Sequence, residues 1–344
     1  MKELVTQFLI IFVFLPLLLT LSILSAILRP FVTVLAKIFR HDFSHIFSGL
    51  GLLYSTEYIH RRPKVSIMVH TILDGPLQLD YVRRQFEQRI LNRCDAEGNF
   101  EYRQLRQTWT QFCGFVFWKW DRKFRLSQHV RLYDYTEPEL ALPSPCTEDD
   151  LRRATGSLIT VPYAENKSPW ELLLIPDYQY VDVQGQRFSG SVLTLRIHHS
   201  LADGFSVFQL LKQLFHAQTE ALSANFPQLS PLQKIMQIAI QVLKFPTDVA
   251  KIMRRNQDEP NCWHLTGKKL TRRYISFLSD RIPVSTIKAI RHKHSVGYNT
   301  VVYAITVGAI CRQMRQAGQK VPESIKCFTP FPMPDHPGGL VNHW

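Results

Sequence analysis

The stretch RIHHSLADGFSVFQLL occupies residues 196–211 and joins the end of a predicted strand to the start of a predicted helix. His198 and His199 close the strand, and Asp203 and Gly204 follow in the turn. Strand-to-helix junctions are places where α/β proteins expose reactive side chains. A histidine there can take a proton from an alcohol, which is worth about 10²–10⁴ in rate. We therefore expect a catalytic base in this stretch. Asp203 would hold the turn by accepting backbone N–H bonds or by pairing with an arginine.

The sequence on both sides alternates between strand and helix patterns. The patterns predict strands over residues 64–73, 170–181, 188–198 and 272–279. They predict helices over residues 81–91, 205–216, 232–255, 284–294 and 300–316, with Asp80 capping the first and Pro246 breaking the third. Residues 101–145 read as irregular structure. Strands mixed with helices throughout indicate an α/β fold.

The chain begins with a long apolar segment, since residues 4–28 contain no charged side chain. As a helix this segment would be about 37 Å long, against roughly 30 Å of bilayer hydrocarbon. Pro16 would kink it. A cleaved signal peptide is the alternative, with small residues at 22–26 as the cleavage site. Basic residues follow and favour a cytoplasmic position for the rest of the chain, and residues 31–39 are predicted to lie at the membrane interface.

The formal net charge of +13 favours an anionic partner. The basic residues form short groups with no zinc-finger spacing and no RNA-binding aromatic motif, so a membrane surface or a phosphorylated substrate is favoured over nucleic acid. Residues 232–255 are amphipathic and basic, and either a membrane surface or the protein core could cover their apolar face. The six cysteines form no CxxC pair, which argues against a zinc site.

The string HHSLADG resembles HHxxxDG, the active-site motif of coenzyme A-dependent acyltransferases of the chloramphenicol acetyltransferase type. The surrounding sequence is similar to the wax ester synthase/diacylglycerol acyltransferase family over about residues 50–344. The flanking matches are Trp120-Asp121, Phe124, His129-Val130-Arg131, Ser168-Pro169-Trp170-Glu171, Tyr298-Asn299-Thr300 and Asn342. Thr300 stands where the family has an acid.

The resemblance implies a two-lobed α/β fold of the chloramphenicol acetyltransferase type with an N-terminal membrane helix. It implies a membrane anchor at 1–40, a first lobe at 41–220, a crossover at 221–270 and the start of an incomplete second lobe at 271–344. The anchor resembles those of eukaryotic members, which suggests the endoplasmic reticulum or the plasma membrane.

The resemblance also implies the reaction: an O-acyltransferase that moves a fatty acyl group from acyl-CoA to a long-chain alcohol or diacylglycerol. His199 would be the general base, His198 would shape the site, and Asp203 would brace the loop, with Arg196 or Arg131 as its partner. Gly204 would keep the channel open. Asn299 would support the motif from the second lobe.

No metal and no cofactor beyond the co-substrate acyl-CoA are expected. The expected partners are acyl-CoA, the lipid acceptor and membrane lipid. A non-catalytic, truncated relative bound to the membrane is the alternative function, and a hydrolase is disfavoured because no GxSxG elbow is present.

Overall fold

The computed structural model describes residues 5, 8–47, 49, 51–181, 185–217, 230–255, 274, 282–325 and 336–343. Helices in these ranges are α1 (Leu15–Phe39), α2 (Gly51–Tyr54), α3 (Leu79–Phe86), α4 (Glu148–Leu158), α5 (Gly204–Phe215), α6 (Pro231–Arg255), α7 (Val284–His294) and α8 (Tyr298–Gln316). Strands are β1 (Phe43–Ile46), β2 (Ser66–Asp74), β3 (Gln107–Phe112), β4 (Phe115–Trp120), β5 (Val130–Leu132), β6 (Cys146–Thr147), β7 (Trp170–Val181) and β8 (Arg187–His198). Short π or 3-10 turns occupy Ile10–Phe14, Glu87–Leu91, Arg103–Arg106 and Leu126–Gln128. The mixture confirms the predicted α/β class.

The larger sheet has the strand order β2-β8-β7-β5, and β6 also pairs with β7. The predicted hairpin is confirmed, because β7 and β8 pair antiparallel from Trp170↔Ile197 to Val181↔Arg187. β8 lies between two partners, and every residue from Gly190 to His198 is buried. The main core is formed by apolar side chains of α3, α5 and this sheet, such as Phe86, Leu210 and Leu195. A strand covered on both faces reads as a nearly continuous apolar run, which is why β8 is recognisable from sequence.

The smaller sheet has the order β1-β4-β3 and corrects the expectation of irregular structure over residues 101–145. β3 and β4 form a hairpin around Cys113 and Gly114, whose φ angles are +47° and +79°. Two residues with positive φ give a turn whose twist matches the strands. Such turns are usually signalled by Asn-Gly or Asp-Gly, and the Cys-Gly pair here does not carry that signal.

α1 is one continuous helix that includes the predicted interfacial residues 31–39, and Pro16 lies in its first turn, directly after the π-helical turn Ile10–Phe14. The stretch Phe12–Phe39 is long and apolar enough to cross a bilayer by length and composition, with a mean hydropathy of 2.2. Near its C-terminal end, Val32 and Ala36 pack against Ile46 and Phe117 of the smaller sheet. The end of this helix is therefore fixed to the sheet.

The helices predicted at 205–216, 284–294 and 300–316 are confirmed within two residues at each end, whereas α3 and α6 differ from expectation in detail. α6 runs unbroken through Pro246, and its side chains at 231–241 are all exposed, so the protein core does not cover this part of the helix. Gln78, not Asp80, occupies the N-cap of α3. Asp80 lies in the first turn, where its negative charge interacts favourably with the helix dipole. The predicted strand at 272–279 lies outside the described residues, apart from Tyr274.

Candidate active site

Strand pairing positions the histidine pair at the end of β8. The N–H of His198 donates to the carbonyl of Pro169, and the N–H of His199 donates to the carbonyl of Val65, both at 2.9 Å. The chain then turns through buried Leu201 and Ala202 into α5. The junction thus holds both histidines between the ends of neighbouring chain segments before the helix begins.

His198 is fully buried, and each of its ring nitrogens takes part in a hydrogen bond. Its Nδ1 lies 3.3 Å from the backbone N–H of Ser200, which makes Nδ1 an acceptor and places the proton on Nε2. Nε2 lies 3.1 Å from the carboxylate of Glu57. Burial lowers the pKa of His198, while Glu57 acts in the opposite direction. A buried neutral ring with both nitrogens engaged suits a structural role.

His199 is half-buried, and Asn342 fixes its tautomer. The Asn342 Nδ2 group donates to the carbonyl of His199 at 2.8 Å, so the amide oxygen faces the ring. That oxygen lies 2.8 Å from Nδ1 of His199. Since an amide oxygen only accepts, Nδ1 must carry the proton and Nε2 presents its lone pair. This is the tautomer required of a base that acts through Nε2.

The short helix α2 packs on His199 from the other side. The ring of Tyr54 lies 4.5 Å from the imidazole of His199, centroid to centroid. Gly51 permits this approach, because a Cβ there would come within 2.8 Å of the Ser200 carbonyl. A larger residue at position 51 would push α2 away from the histidine loop.

Asp203 braces the loop through backbone groups. One carboxylate oxygen accepts the N–H of Ser206 at 2.7 Å, which caps α5. The other accepts the N–H of His343 at 2.7 Å, and the N–H of Asp203 donates to the carbonyl of Val341 at 2.9 Å. Asp203 therefore ties the turn to the segment that carries Asn342.

Neither expected arginine partner reaches Asp203, and this corrects the prediction. Arg196 pairs with Glu171 at 2.6 Å, and Arg131 pairs with the other oxygen of Glu171 at 2.7 Å. Arg196 and Glu171 are directly opposed across β7 and β8, on buried positions. Alternation along β8 turns Arg196 towards this ion cluster rather than towards the loop that follows His198.

Two further predicted residues lie apart from these hydrogen bonds. A Cβ at Gly204 would meet no described protein atom within 4 Å, so packing does not require glycine there. Asn299 is exposed in the first turn of α8, and among the described residues no hydrogen bond joins it to the histidine loop. Their roles towards substrate stay predictions.

Sequence reasoning missed Glu57 and Tyr54. Glu57 lies 141 positions from His198, and no local pattern marks it. The resemblance pointed to Asn342, but its contact with His199 could be seen only in the fold.

Comparison with known proteins shows which family the chain resembles in sequence. A sequence profile described as the wax ester synthase/diacylglycerol acyltransferase catalytic domain matches residues 64–255, more than half of the chain. A search of curated proteins found no match.

Several solved structures are similar to parts of the chain. The first condensation domain of the CDA synthetase aligns with a TM-score of 0.38 at 13% identity, covering 76% of this chain and 57% of that chain. SgcC5 from Streptomyces globisporus aligns with a TM-score of 0.35 at 11% identity, covering 75% and 55%. The X-domain from teicoplanin biosynthesis aligns with a TM-score of 0.30 at 18% identity, covering 61% and 38%. The aligned region is less than two thirds of each of these structures.

The profile match includes the whole of β8, the histidine pair and Asp203. The chain belongs to the wax ester synthase/diacylglycerol acyltransferase family.

Proposed function

We propose that this protein is an acyl-CoA-dependent O-acyltransferase with a long-chain alcohol or diacylglycerol as acceptor. The observation that carries the proposal is the pair of hydrogen bonds between Asn342 and His199, which leaves Nε2 of His199 as the basic nitrogen. Family membership supports acyl transfer to a lipid as the reaction class.

The reaction needs only one base, because the proton that His199 takes from the hydroxyl is later given to the leaving sulfur. Nε2 of His199 takes the hydroxyl proton as the acceptor oxygen bonds to the thioester carbonyl carbon. The tetrahedral intermediate then collapses, the C–S bond breaks, and the coenzyme A sulfur takes the proton from His199. An ester and free coenzyme A result, with no covalent acyl-enzyme.

The test uses the full chain in lipid vesicles with radiolabelled acyl-CoA, and either a long-chain alcohol or diacylglycerol as acceptor. We expect labelled ester with at least one acceptor, and the ester formed identifies the acceptor class. His199→Ala should remove nearly all transfer. His292→Ala, at an exposed position on α7, is the matched control. Equal activity in wild type and His199→Ala would refute the assignment, as would the absence of ester with both acceptors.

The N-terminal helix supports a membrane location for this activity. We propose the endoplasmic reticulum or plasma membrane as the location, in keeping with the resemblance to eukaryotic members. The catalytic part would lie on the cytoplasmic side, because Arg29, Lys37 and Arg40 follow the uncharged residues 4–28. Fluorescence microscopy of the tagged protein with organelle markers, combined with protease protection of the tag, tests both points.

A further inference from the structure

Residues 51–64, here called the roof segment, lie against both histidines. The ring of Tyr54 packs against His199 at a tilt of 31°, and Glu57 faces His198. The backbone of the segment is also held, because Trp109 donates its indole N–H to the carbonyl of Ser55 at 3.1 Å. The segment is therefore a fixed part of the site rather than a free loop.

Other side chains of the roof segment are exposed, and they are aliphatic, aromatic or basic. Leu53 is 67% exposed and Leu52 is 39% exposed, although the neighbouring Tyr54 packs on the base. Tyr58 is 82% exposed, and the basic Arg61 and Lys64 are exposed as well. Aliphatic, aromatic and basic residues together are typical of a surface that rests in the interface of a lipid bilayer.

The roof segment is connected to the apolar helix α1 through the smaller sheet. Val32 and Ala36 of α1 pack on Phe117 of β4. In the same sheet, Trp109 of β3 packs on Trp118 of β4 and donates to the roof segment. A helix able to cross a bilayer and the exposed leucines are thus carried by one small structural unit.

We propose that the exposed face of the roof segment rests in the bilayer interface beside α1, and that the lipid acceptor reaches His199 past Leu52 and Leu53. The entry route of the acceptor deepens the proposed function and rests on it. The membrane contact of the roof segment does not depend on that function. The basic residues of the segment suit anionic headgroups, in keeping with the net charge of +13.

Photo-crosslinking tests the membrane contact without reference to activity. The full chain carries a benzophenone amino acid at position 53 or, as control, at position 181, and is reconstituted in vesicles of phosphatidylcholine and phosphatidylserine with a radiolabelled lipid. Val181 is 53% exposed at the far end of the hairpin from His198, about 36 Å away along β8. Lipid label on the chain should be severalfold higher from position 53. Equal label from both positions, or crosslinks between protein chains in place of lipid, would overturn the proposal.

Kinetics test the entry route. Leu53→Gln should raise KM about tenfold for an acceptor dissolved in the bilayer, since an apolar contact with the lipid is lost. KM for a short-chain, water-soluble alcohol should not change, and Val181→Gln should change neither value. An equal rise for both acceptors would exclude the route. If the wild type transfers no acyl group, the proposed function fails, while the lipid crosslinks still decide where the roof segment lies.

Discussion

At the scale of single residues, the proton on His199 is positioned by Asn342, which lies 143 positions further along the chain. The amide plays the part that a carboxylate plays in many histidine sites, because it accepts from Nδ1 and holds the ring. A neutral amide does this without placing a second charge beside the proposed base. In the proposed reaction Asn342 is therefore a positioning residue, and its loss should affect catalysis more than substrate binding.

Asn342→Ala should lower kcat about 10²-fold, with little change in KM for acyl-CoA, since the ring would lose its fixed tautomer. Steady-state kinetics of the full chain in vesicles would measure both values. Asn99→Ala removes an exposed asparagine from a local turn and serves as the control. A variant that loses acyl-CoA binding but keeps kcat would show that Asn342 acts on the substrate instead.

Asp203→Asn should destabilise the protein by about 1–3 kcal/mol, because an amide N–H₂ cannot accept both backbone N–H groups that the carboxylate now accepts. The loss should appear as a lower Tm in detergent micelles. Asp80→Asn changes an exposed carboxylate near the start of a helix and should have a much smaller effect. An unchanged Tm together with a displaced acidic limb of the pH–rate profile would instead assign Asp203 to tuning the base.

At the scale of secondary-structure elements, His70 of β2 forms hydrogen bonds with both the helix α4 and the strand β8. Thr155 of α4 donates its hydroxyl proton to Leu151, so it accepts from Nε2 of His70 at 2.9 Å. Nδ1 of His70 is then free to accept from Thr194 of β8, also at 2.9 Å. One neutral ring thereby holds a helix onto two strands.

Burial lowers the pKa of His70 from 6.5 to about 4. Between these values the unfolded chain binds a proton that the folded protein excludes, so the free energy of unfolding should fall as pH drops from 6.5 towards 4. The slope from this one group approaches about 1.4 kcal/mol per pH unit. Urea unfolding in micelles at pH 7, 6 and 5 should show a shallower fall for His70→Gln than for wild type. His292→Gln, on the exposed surface, should keep the wild-type slope, and an unchanged slope in His70→Gln would contradict the assignment.

At the scale of the whole molecule, α1 combines two functions that a truncation can separate. Its exposed apolar length suits a bilayer, while Val32 and Ala36 complete a small core with Ile46 and Phe117. A deletion that ends before Val32 removes only the apolar length. A deletion of residues 1–40 also uncovers the sheet.

Deleting residues 1–28 should move much of the protein from the membrane pellet to the soluble fraction after alkaline wash, with little change in Tm. Deleting residues 1–40 should do the same and also cost about 2–4 kcal/mol of stability, because apolar side chains become exposed. Sedimentation and thermal melts measure the two effects. If the shorter deletion stays wholly in the pellet, other surfaces such as α6 provide the main attachment.

The sequence alone determined the features that depend on neighbouring residues. The apolar run of β8, the hairpin with β7, the helix after Gly204 and the long apolar N-terminal stretch all follow from local periodicity and composition. The motif carried by His198, His199 and Asp203 was readable for the same reason, since its members lie within six residues on one turn.

Tertiary structure alone decided which distant residues meet that motif. Glu57 and Tyr54 precede it by more than 140 positions, Asn342 follows it by a similar distance, and the expected arginines face Glu171 instead. Hydrogen bonds depend on distance in space and not on separation along the chain, so residue type and spacing cannot assign these partners. Only the packing of residues 51–64, β8 and residues 336–343 brings Glu57 to His198, and Tyr54 and Asn342 to His199.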